Sequence, residues 1–347
     1  MKKVLFVSLA LAGLSVLSVA RATVITENFS ANPLQNGWQI FGNTNLFRWD
    51  STNHDLAVTW DSSQTNSYFY HPLGTVVTRN DDFSVVFDFR LNDIASGTDA
   101  GMTGGFEIGL GFLSFADATG TNFLRGVWYP LSAPTGAVNL VEFDYFPPGY
   151  FPDYGPVSAT TTPTFISTNG DFAPYQYLPY EIELPTNVLL HVTMTYTASN
   201  QTLVTILTTN GAPFLRLLDV TLTDPNNSEF YDADNFYVDT ISINSYSDAG
   251  QDPFYGSSVL AHGVVDNFVV TVPPPPIQNL SGSFNNSNWQ AQFISQRNWI
   301  YTLERTANFV SWTDTSIMTG GNGTNLFLQD TNPPADKAFY RVRADRP

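Results

Sequence analysis

Two acidic residues, Glu142 and Asp144, are the part of the sequence best suited to chemistry. They lie in the run VEFDYF at residues 141–146. Alternate side chains of a β-strand point to the same face, so the two carboxylates share one face about 6–7 Å apart. The opposite, apolar face carries Val141, Phe143 and Tyr145. Like charges at this spacing raise the free energy unless water solvates them, a cation neutralises them or they perform acid–base chemistry. The sequence leaves these three alternatives open.

An aromatic loop rich in proline and glycine follows the acidic run, at residues 147–156. Sugar rings have apolar C–H faces that stack on aromatic side chains, while carboxylates or a bound cation can hold their hydroxyl groups. The candidate ligand-binding residues are therefore Phe146, Tyr150, Phe151 and Tyr154. The alternative is that these rings cover the end of a hydrophobic core, where aromatic residues are most often found.

The first 22 residues have the pattern of a secretory signal peptide. Lys2 and Lys3 precede an apolar run at residues 4–19, and small residues surround the expected cleavage site after Ala22. The apolar run is short for a membrane span, and no other stretch is apolar enough to cross a bilayer. We expect an exported chain, located in the periplasm, at the cell surface or outside the cell, with no membrane insertion after cleavage.

Charge and composition exclude several classes of function. The 347 residues carry a formal net charge of −17, which repels nucleic acid and anionic lipid. There is no cysteine, so disulfides, thiol catalysis and cysteine-bound metals are excluded. The four histidines have no metal-site spacing, and we expect them to be structural: His54, His71, His191 and His262.

Short alternating segments predict an all-β fold. The residues after the signal peptide show no helical periodicity, and clusters of Gly, Asn, Asp and Pro separate the candidate strands. This pattern is typical of an antiparallel β-sandwich or jelly roll. The predicted strands are Val24–Phe29, Leu56–Trp60, Tyr68–Tyr70, Phe83–Leu91, Phe106–Phe112, Leu124–Trp128, Asn139–Phe146, Val192–Thr197, Leu203–Thr208, Tyr237–Asn244 and Val264–Val272.

Four consecutive prolines at residues 273–276 mark a domain boundary. Such a run is extended and semi-rigid, and it cannot pair inside a sheet. We therefore predict a sandwich at residues 23–272 and a small C-terminal β module at residues 277–347. The aromatic residues of the module are expected to fill its core.

The acidic run resembles the metal-binding strand of legume-type lectins, within the concanavalin A-like lectin/glucanase superfamily. In that family the Glu and Asp help to hold a manganese–calcium pair, and a later aspartate bridges both ions. The resemblance implies a calcium ion bound by Glu142, Asp144 and Asp153. Two family ligands are replaced, since the loop asparagine falls at Pro148 and the manganese-binding histidine falls near Ser158.

The same run is also similar to the E-x-D-x-x-E signature of family 16 glycoside hydrolases. Glu142 and Asp144 match its first two acids, but the acid/base position is Pro147, which cannot donate a proton. Retaining hydrolysis requires two carboxyl groups about 5–5.5 Å apart. An enzyme of this type would need a distant acid such as Glu107.

The first and last predicted strands of the sandwich are similar to those of secreted bacterial jelly-roll and carbohydrate-binding modules. In such modules these two strands pair and often hold a structural calcium. That resemblance makes Glu27 and Asp266 candidate ligands, and the alternative is that both are ordinary polar residues at a strand edge or turn. The C-terminal module also resembles one that recurs in secreted bacterial surface proteins.

These observations predict a secreted, non-catalytic β-sandwich protein that binds a polysaccharide or surface glycan, with calcium as the candidate cofactor. Two other hypotheses remain open at this stage. One is a glycoside hydrolase or lyase on the same scaffold, and the other is a purely structural component of the envelope or matrix.

Overall fold

The computed structural model describes residues 22–125, 136–151, 155–170, 172–173, 182–217, 219–222, 235–251 and 256–347. Two compact units are present, Ala22–Pro274 and Pro275–Pro347. The predicted signal peptide lies outside the described residues except for Ala22, and export stays a prediction. Within the described ranges, no helix combines the length and the apolar character needed to cross a membrane.

Strands form nearly all the regular structure of the large unit. The helical segments among its described residues are two 3-10 turns, Pro33–Gln35 and Thr44–Leu46, and the four-residue helix α1 (Phe115–Ala118). In chain order the strands are β1 (Thr23–Glu27), β2 (Gln39–Phe41), β3 (Phe47–Asp50), β4 (Asp55–Asp61), β5 (Ser67–Thr78), β6 (Phe83–Ser96), β7 (Gly104–Gly105), β8 (Ile108–Leu113), β9 (Leu140–Phe146), β10 (Gly149–Phe151), β11 (Gly155–Val157), β12 (Thr160–Ile166), β13 (Phe172–Ala173), β14 (Leu190–Thr197), β15 (Thr202–Thr209), β16 (Ala212–Arg216), β17 (Val220–Thr221), β18 (Tyr237–Ser245) and β19 (Ser257–Val272).

Two sheets face each other in the large unit. The first sheet has the order β16-β15-β14-β6-β19-β4-β3, with β1 and β7 beside β19 and β17 beside β15. The second sheet has the order β13-β12-β9-β8-β18-β5-β2, and β10 and β11 form a separate hairpin. Pairings between these strands are antiparallel except that of β7 with β19. The predicted antiparallel β-sandwich is confirmed.

The core lies between the sheets, and strands such as β4, β6 and β14 contribute alternate residues to it. Along β6 the residues from Phe83 to Leu91 alternate between buried and partly exposed, as predicted. On the opposite sheet, the ring of Phe143 lies 6.0 Å from that of Phe87 and 6.3 Å from that of Phe89. These contacts fix which face of β9 points inward.

The predicted strand Leu124–Trp128 is wrong where it can be checked. Leu124 and Arg125 are not in a strand, and residues 126–128 lie outside the described part of the chain. The side chain of Arg125 is instead directed to the buried carboxylates of Glu107, Glu142 and Asp144.

The C-terminal unit is also built from strands. The strands are β20 (Ile277–Asn285), β21 (Asn288–Ser295), β22 (Ile300–Thr306), β23 (Thr313–Asp314), β24 (Thr319–Gly320), β25 (Asn325–Asp330) and β26 (Phe339–Asp345). They form two small sheets with the orders β20-β21-β25 and β23-β22-β24, with β26 paired to β22. The core of this unit includes Phe293 and Tyr301, whose rings lie 5.0 Å apart.

Candidate functional site

Strand β9 places Glu142 and Asp144 on the face of the second sheet that points away from the core. The alternate residues Val141, Phe143 and Tyr145 enter the core. The predicted sharing of one face by the two acids is therefore correct. Neither acid is solvated, however, since both residues are 0% exposed. Solvation by water, the first of the three alternatives for this pair of acids, is therefore excluded. Neutralisation by a cation and acid–base chemistry remain.

Two glycines of β8 give the carboxylates their space. Gly109 lies opposite Asp144 in the antiparallel register, and Gly111 lies opposite Glu142. A Cβ atom on Gly109 would be 3.3 Å from Oε1 of Glu142 and 3.4 Å from Oδ1 of Asp144. A Cβ atom on Gly111 would overlap the backbone of Val141 and Glu142. The acidic side chains can pack against β8 because that strand lacks side chains at these positions.

Arg125 lies among three buried carboxylates. Its Nη2 atom is 2.7 Å from Oε2 of Glu107 and 3.0 Å from Oδ2 of Asp144, and its Nε atom is 3.7 Å from Oε2 of Glu142. The side chain of Arg125 is 7% exposed, and those of the acids are 0–1% exposed. Charges attract each other more strongly away from water, so the guanidinium group is the cation that stabilises these acids. We call these four residues the acidic cluster.

Asparagine and tyrosine side chains extend the acidic cluster from the end of β18, on the far side of β8. Asn244 of β18 donates from Nδ2 to Oε1 of Glu142, at 2.5 Å, and to the hydroxyl oxygen of Tyr246, at 2.9 Å. The hydroxyl of Tyr246 donates to the same Oε1 atom. The guanidinium carbon of Arg125 is 5.7 Å from the centre of the Tyr246 ring. One carboxylate oxygen of Glu142 is thus fixed by two donors.

Burial controls the protonation of the acidic cluster. It raises the pKa of Glu142 to about 8, with the charge of Asp144 adding to the effect and Arg125 opposing it. Burial also raises the pKa of Glu107 and of Asp144, and Arg125 opposes both shifts. For Arg125, burial alone would lower the pKa, but the three carboxylates raise it overall. The guanidinium stays charged, while the acids keep protons to higher pH than free carboxylic acids.

The described residues leave several acceptors at the acidic cluster without a hydrogen bond. Oε2 of Glu107 pairs with Arg125 at 2.7 Å, but Oε1 of Glu107, Oε2 of Glu142 and Oδ1 of Asp144 accept no hydrogen bond from that part of the chain, and neither does Oδ1 of the adjacent Asn244. An unpaired buried acceptor is costly, and an ion pair compensates only part of that cost. This is a strongly polar site inside the fold.

The segment from α1 to Arg125 covers the outer face of the second sheet. The ring of Phe115 stacks on that of Tyr70 at 4.3 Å, and the hydroxyl of Tyr68 donates to the Ala118 carbonyl at 3.0 Å. The ring of Phe123 lies 6.1 Å from that of Tyr246. The acids therefore face this segment of the chain, and they do not line an open groove.

The residues of the acidic cluster do not fit the metal site that the lectin resemblance implies. Arg125 already supplies positive charge 3.0 Å from Asp144, and it would repel a metal ion in the same space. Within the described ranges, no group of three or more Asp, Glu or His side chains is placed to hold a metal. Asp153 lies outside those ranges, so its predicted role stays a prediction.

The second predicted calcium site lies where β1 pairs with β19, as the resemblance to jelly-roll modules implies. Glu27 is 3% exposed and accepts hydrogen bonds from the backbone N–H of Phe29 at 2.7 Å and from Asn36 at 3.2 Å. Asp266 accepts a hydrogen bond from the Asn267 N–H, and burial raises the pKa of Asp266 to about 6. Neighbouring donors thus satisfy oxygens of both carboxylates, and a calcium ion here stays a prediction.

The aromatic loop forms the β10–β11 hairpin, in which Tyr150 is opposite Pro156. Tyr150 is 52% exposed, whereas Phe146 and Phe151 are partly buried. The predicted contact residue Tyr154 lies outside the described residues. Two alternatives were predicted for the aromatic residues of this loop, contact with a sugar or cover for the core. The exposure of Tyr150 is consistent with the first alternative. The ring of Phe151 lies against Gly104, which is consistent with the second.

Backbone contacts hold the hairpin on the sandwich. The N–H of Tyr150 donates to the Thr103 carbonyl at 3.1 Å, and the Thr103 hydroxyl donates to the Tyr150 carbonyl at 2.6 Å. The hydroxyl of Ser96 donates to the Pro148 carbonyl. A Cβ atom on Gly149 would overlap the backbone of Gly104 and Gly105. Tyr150 is therefore an exposed aromatic residue on a fixed backbone.

Three residues of the site were not identified from the sequence: Arg125, Asn244 and Tyr246. They reach Glu142 through the sheet and the covering segment, and Tyr246 is 104 positions away from it in the chain. A signal for Arg125 was nonetheless present. A single arginine within an otherwise apolar run must find a partner when the run is buried.

Comparisons with known proteins return structures but no sequence family. No protein-family model matches the chain, and no curated protein matches it. Lectin II from Ulex europaeus has a TM-score of 0.42 and 11% identity, covering 74% of this chain and 100% of that chain. Peanut lectin has a TM-score of 0.40 and 14% identity, covering 73% and 99%. An alginate lyase in complex with an alginate tetrasaccharide has a TM-score of 0.35 and 14% identity, covering 71% and 96%.

All three TM-scores are below 0.5, and the sandwich architecture follows from the strand order and register of this chain.

Proposed function

We propose that this protein is a secreted, non-catalytic β-sandwich protein that binds a polysaccharide or surface glycan through the β10–β11 hairpin. The observation that supports this most directly is Tyr150, a 52% exposed aromatic residue on a backbone held by Thr103. Because the backbone that carries this ring is already held, only side-chain freedom is lost when a sugar stacks on it. Export is part of the proposal and rests on the signal-peptide pattern of residues 1–22.

The chemistry of the acidic cluster supports binding over cleavage. Hydrolysis of a glycosidic bond requires two carboxyl groups on either side of a bound sugar. Here Glu107, Glu142 and Asp144 surround Arg125 and are 0–1% exposed beneath a covering segment. A sugar chain has no access to these oxygens in this arrangement.

A screen against a panel of polysaccharides tests the proposal. The wild type is compared with Tyr150→Ala and with Phe214→Ala, a control at an aromatic residue that is 39% exposed on β16. We expect wild type and Phe214→Ala to bind the same polysaccharide, and Tyr150→Ala to lose about tenfold or more in affinity. Failure of the wild type to bind any member would instead favour the purely structural role.

The same screen in a chelator tests the predicted calcium. A loss of binding in the chelator that Glu27→Gln and Asp266→Asn reproduce would assign a calcium ion to the β1–β19 pair. Binding that is unchanged by the chelator would contradict the calcium prediction for the ligand site.

A glycoside hydrolase or lyase is the second candidate function, and one observation favours it. The shared contacts with Arg125 bring Glu107 close to Glu142 and Asp144. Glu107 is therefore available as the distant acid that an enzyme would need, since Pro147 cannot donate a proton. This function requires the covering segment to leave the sheet when substrate binds. It predicts release of products from a β-glucan or galactan, and loss of that release in Glu142→Gln.

A further inference from the structure

We propose that Arg125 is the built-in cation of the acidic cluster, in the place where a lectin of this fold would bind a metal. Its guanidinium joins Glu107, Glu142 and Asp144, so the outer face of the second sheet is held together without a divalent ion. This inference concerns stability and metal content, and it is independent of the proposed glycan site at the hairpin.

The geometry favours a guanidinium over a metal at this position. The three acids come from β9 and from the residue before β8, and one planar group reaches all of them at 2.7–3.7 Å. Arginine has five N–H donors in a fixed fork, which suits carboxylates that approach from different directions. A metal ion would have to share these oxygens with a permanent positive charge.

The source of the cation has a structural consequence. A free ion can leave, whereas Arg125 belongs to the segment that lies over the acids. The ion pairs therefore neutralise the carboxylates and fasten the covering segment in one step. Phe123, two residues earlier, strengthens the attachment through its contact with Tyr246. Chelation should leave this face closed.

Thermal unfolding of the mature protein tests the inference. The variants are Arg125→Met, which keeps an unbranched apolar stem without the charge, and Arg48→Met, a control at an arginine whose side chain is 70% exposed. In a Glu27→Gln, Asp266→Asn background, which removes the other predicted calcium ligands, we expect Tm to be the same in chelator and in calcium. Arg125→Met should lower Tm by about 10 °C, because three buried acids lose their cation. Arg48→Met should change Tm by less than about 2 °C.

A charge-neutralised variant separates loss of charge from loss of packing. Adding Glu107→Gln, Glu142→Gln and Asp144→Asn to Arg125→Met removes all three unpaired acids, and we expect it to recover most of the lost Tm. If Arg125→Met is insoluble, recovery of soluble protein by these three changes supports the inference, and failure to recover it overturns it. The inference is also overturned if Arg125→Met has the wild-type Tm. A wild-type Tm that falls in chelator, with no such fall in Glu142→Gln, would show instead that a metal binds the cluster.

Discussion

Tyr246 donates its hydroxyl hydrogen to Oε1 of Glu142 inside the fold, where neither residue is more than 1% exposed. This bond joins the residue after β18 to the middle of β9, across β8. Strand β9 is therefore buried on both faces, by core residues on one side and by Arg125, Asn244 and Tyr246 on the other. These partners determine the protonation and the accessibility of Glu142.

Removing this hydroxyl should destabilise the protein more than removing one near the surface. Tyr246→Phe leaves a buried carboxylate oxygen with one donor fewer, which costs about 1–3 kcal/mol. Tyr70→Phe is the control, since its hydroxyl donates to the neutral amide of Gln39 at 2.9 Å. We expect urea unfolding to show the larger loss in Tyr246→Phe. Equal losses of unfolding free energy in the two variants would mean that the hydrogen bond to Glu142 is no stronger than the one to the neutral amide of Gln39.

A methyl group on Gly111 of β8 should disrupt the acidic cluster by displacing the backbone of β9. At Gly111 a Cβ atom would overlap backbone atoms of Val141 and Glu142, which cannot rotate away. We expect Gly111→Ala to lower the free energy of unfolding by about 2–3 kcal/mol. Gly136→Ala is the matched control, because its Cβ atom would meet nothing within 4 Å. Equal stability of the two variants would contradict the tight packing of β9 on β8.

Asp248 should make stability depend on pH near neutrality. Burial, together with a hydrogen bond and the charge of Asp99, raises the pKa of Asp248 to about 7 from the ordinary value of 3.8. The folded state therefore keeps a proton that the unfolded state has lost, and stability falls as pH rises between these values. Above about pH 7 both states are ionised and this contribution is constant.

Asp248→Asn should remove this contribution and stabilise the protein at pH 8 relative to wild type. Chemical unfolding of both proteins between pH 4 and pH 8 measures the difference curve. Asp219→Asn, at an exposed surface ion pair with Arg216, is the control and should leave the wild-type curve unchanged. A difference curve that is flat for Asp248→Asn would show that Asp248 titrates normally.

In the C-terminal unit, Glu304 should be important for local stability. Its side chain is 4% exposed and pairs with Arg341, at 2.5 Å, and with Arg343. Glu304→Gln leaves two arginines without their shared carboxylate and should cost about 1–3 kcal/mol. Hydrogen exchange along β22 and β26 should accelerate. Asp345→Asn, at an exposed ion pair with Arg343, should leave exchange nearly unchanged, and a similar effect of both variants would contradict the prediction.

Local sequence pattern predicted most of the sandwich. The period-two alternation in β6, β14 and β9 identified strands and their inward faces, because one buried face forces such alternation. The Asn210-Gly211 turn joins β15 to β16, and both residues have positive φ, as a tight hairpin requires. Features that depend on neighbouring residues in the chain were thus accessible.

Contacts between distant segments were not accessible. Alternation in β9 predicts a half-buried strand, but six of its seven residues are buried because the segment ending at Arg125 covers the outer face. The same segment includes Leu124 and Arg125, where the predicted strand is wrong. Glu107 was named from the sequence as an acid that could join Glu142, whereas its pairing with Arg125 could not be derived without the fold.

Strand β19 lies at the centre of the first sheet but is the last strand of the large unit to be synthesised. It pairs with β1, β4, β6 and β7, and Thr23 lies opposite Val272 in the register. The centre of the first sheet is therefore completed by the last strand of the unit to leave the ribosome. Contacts of such long sequence separation slow folding, and until they form, β4 and β6 present open edges that can pair with other chains. A chain released before residue 257 would keep those edges, so aggregation is the expected fate of truncated products.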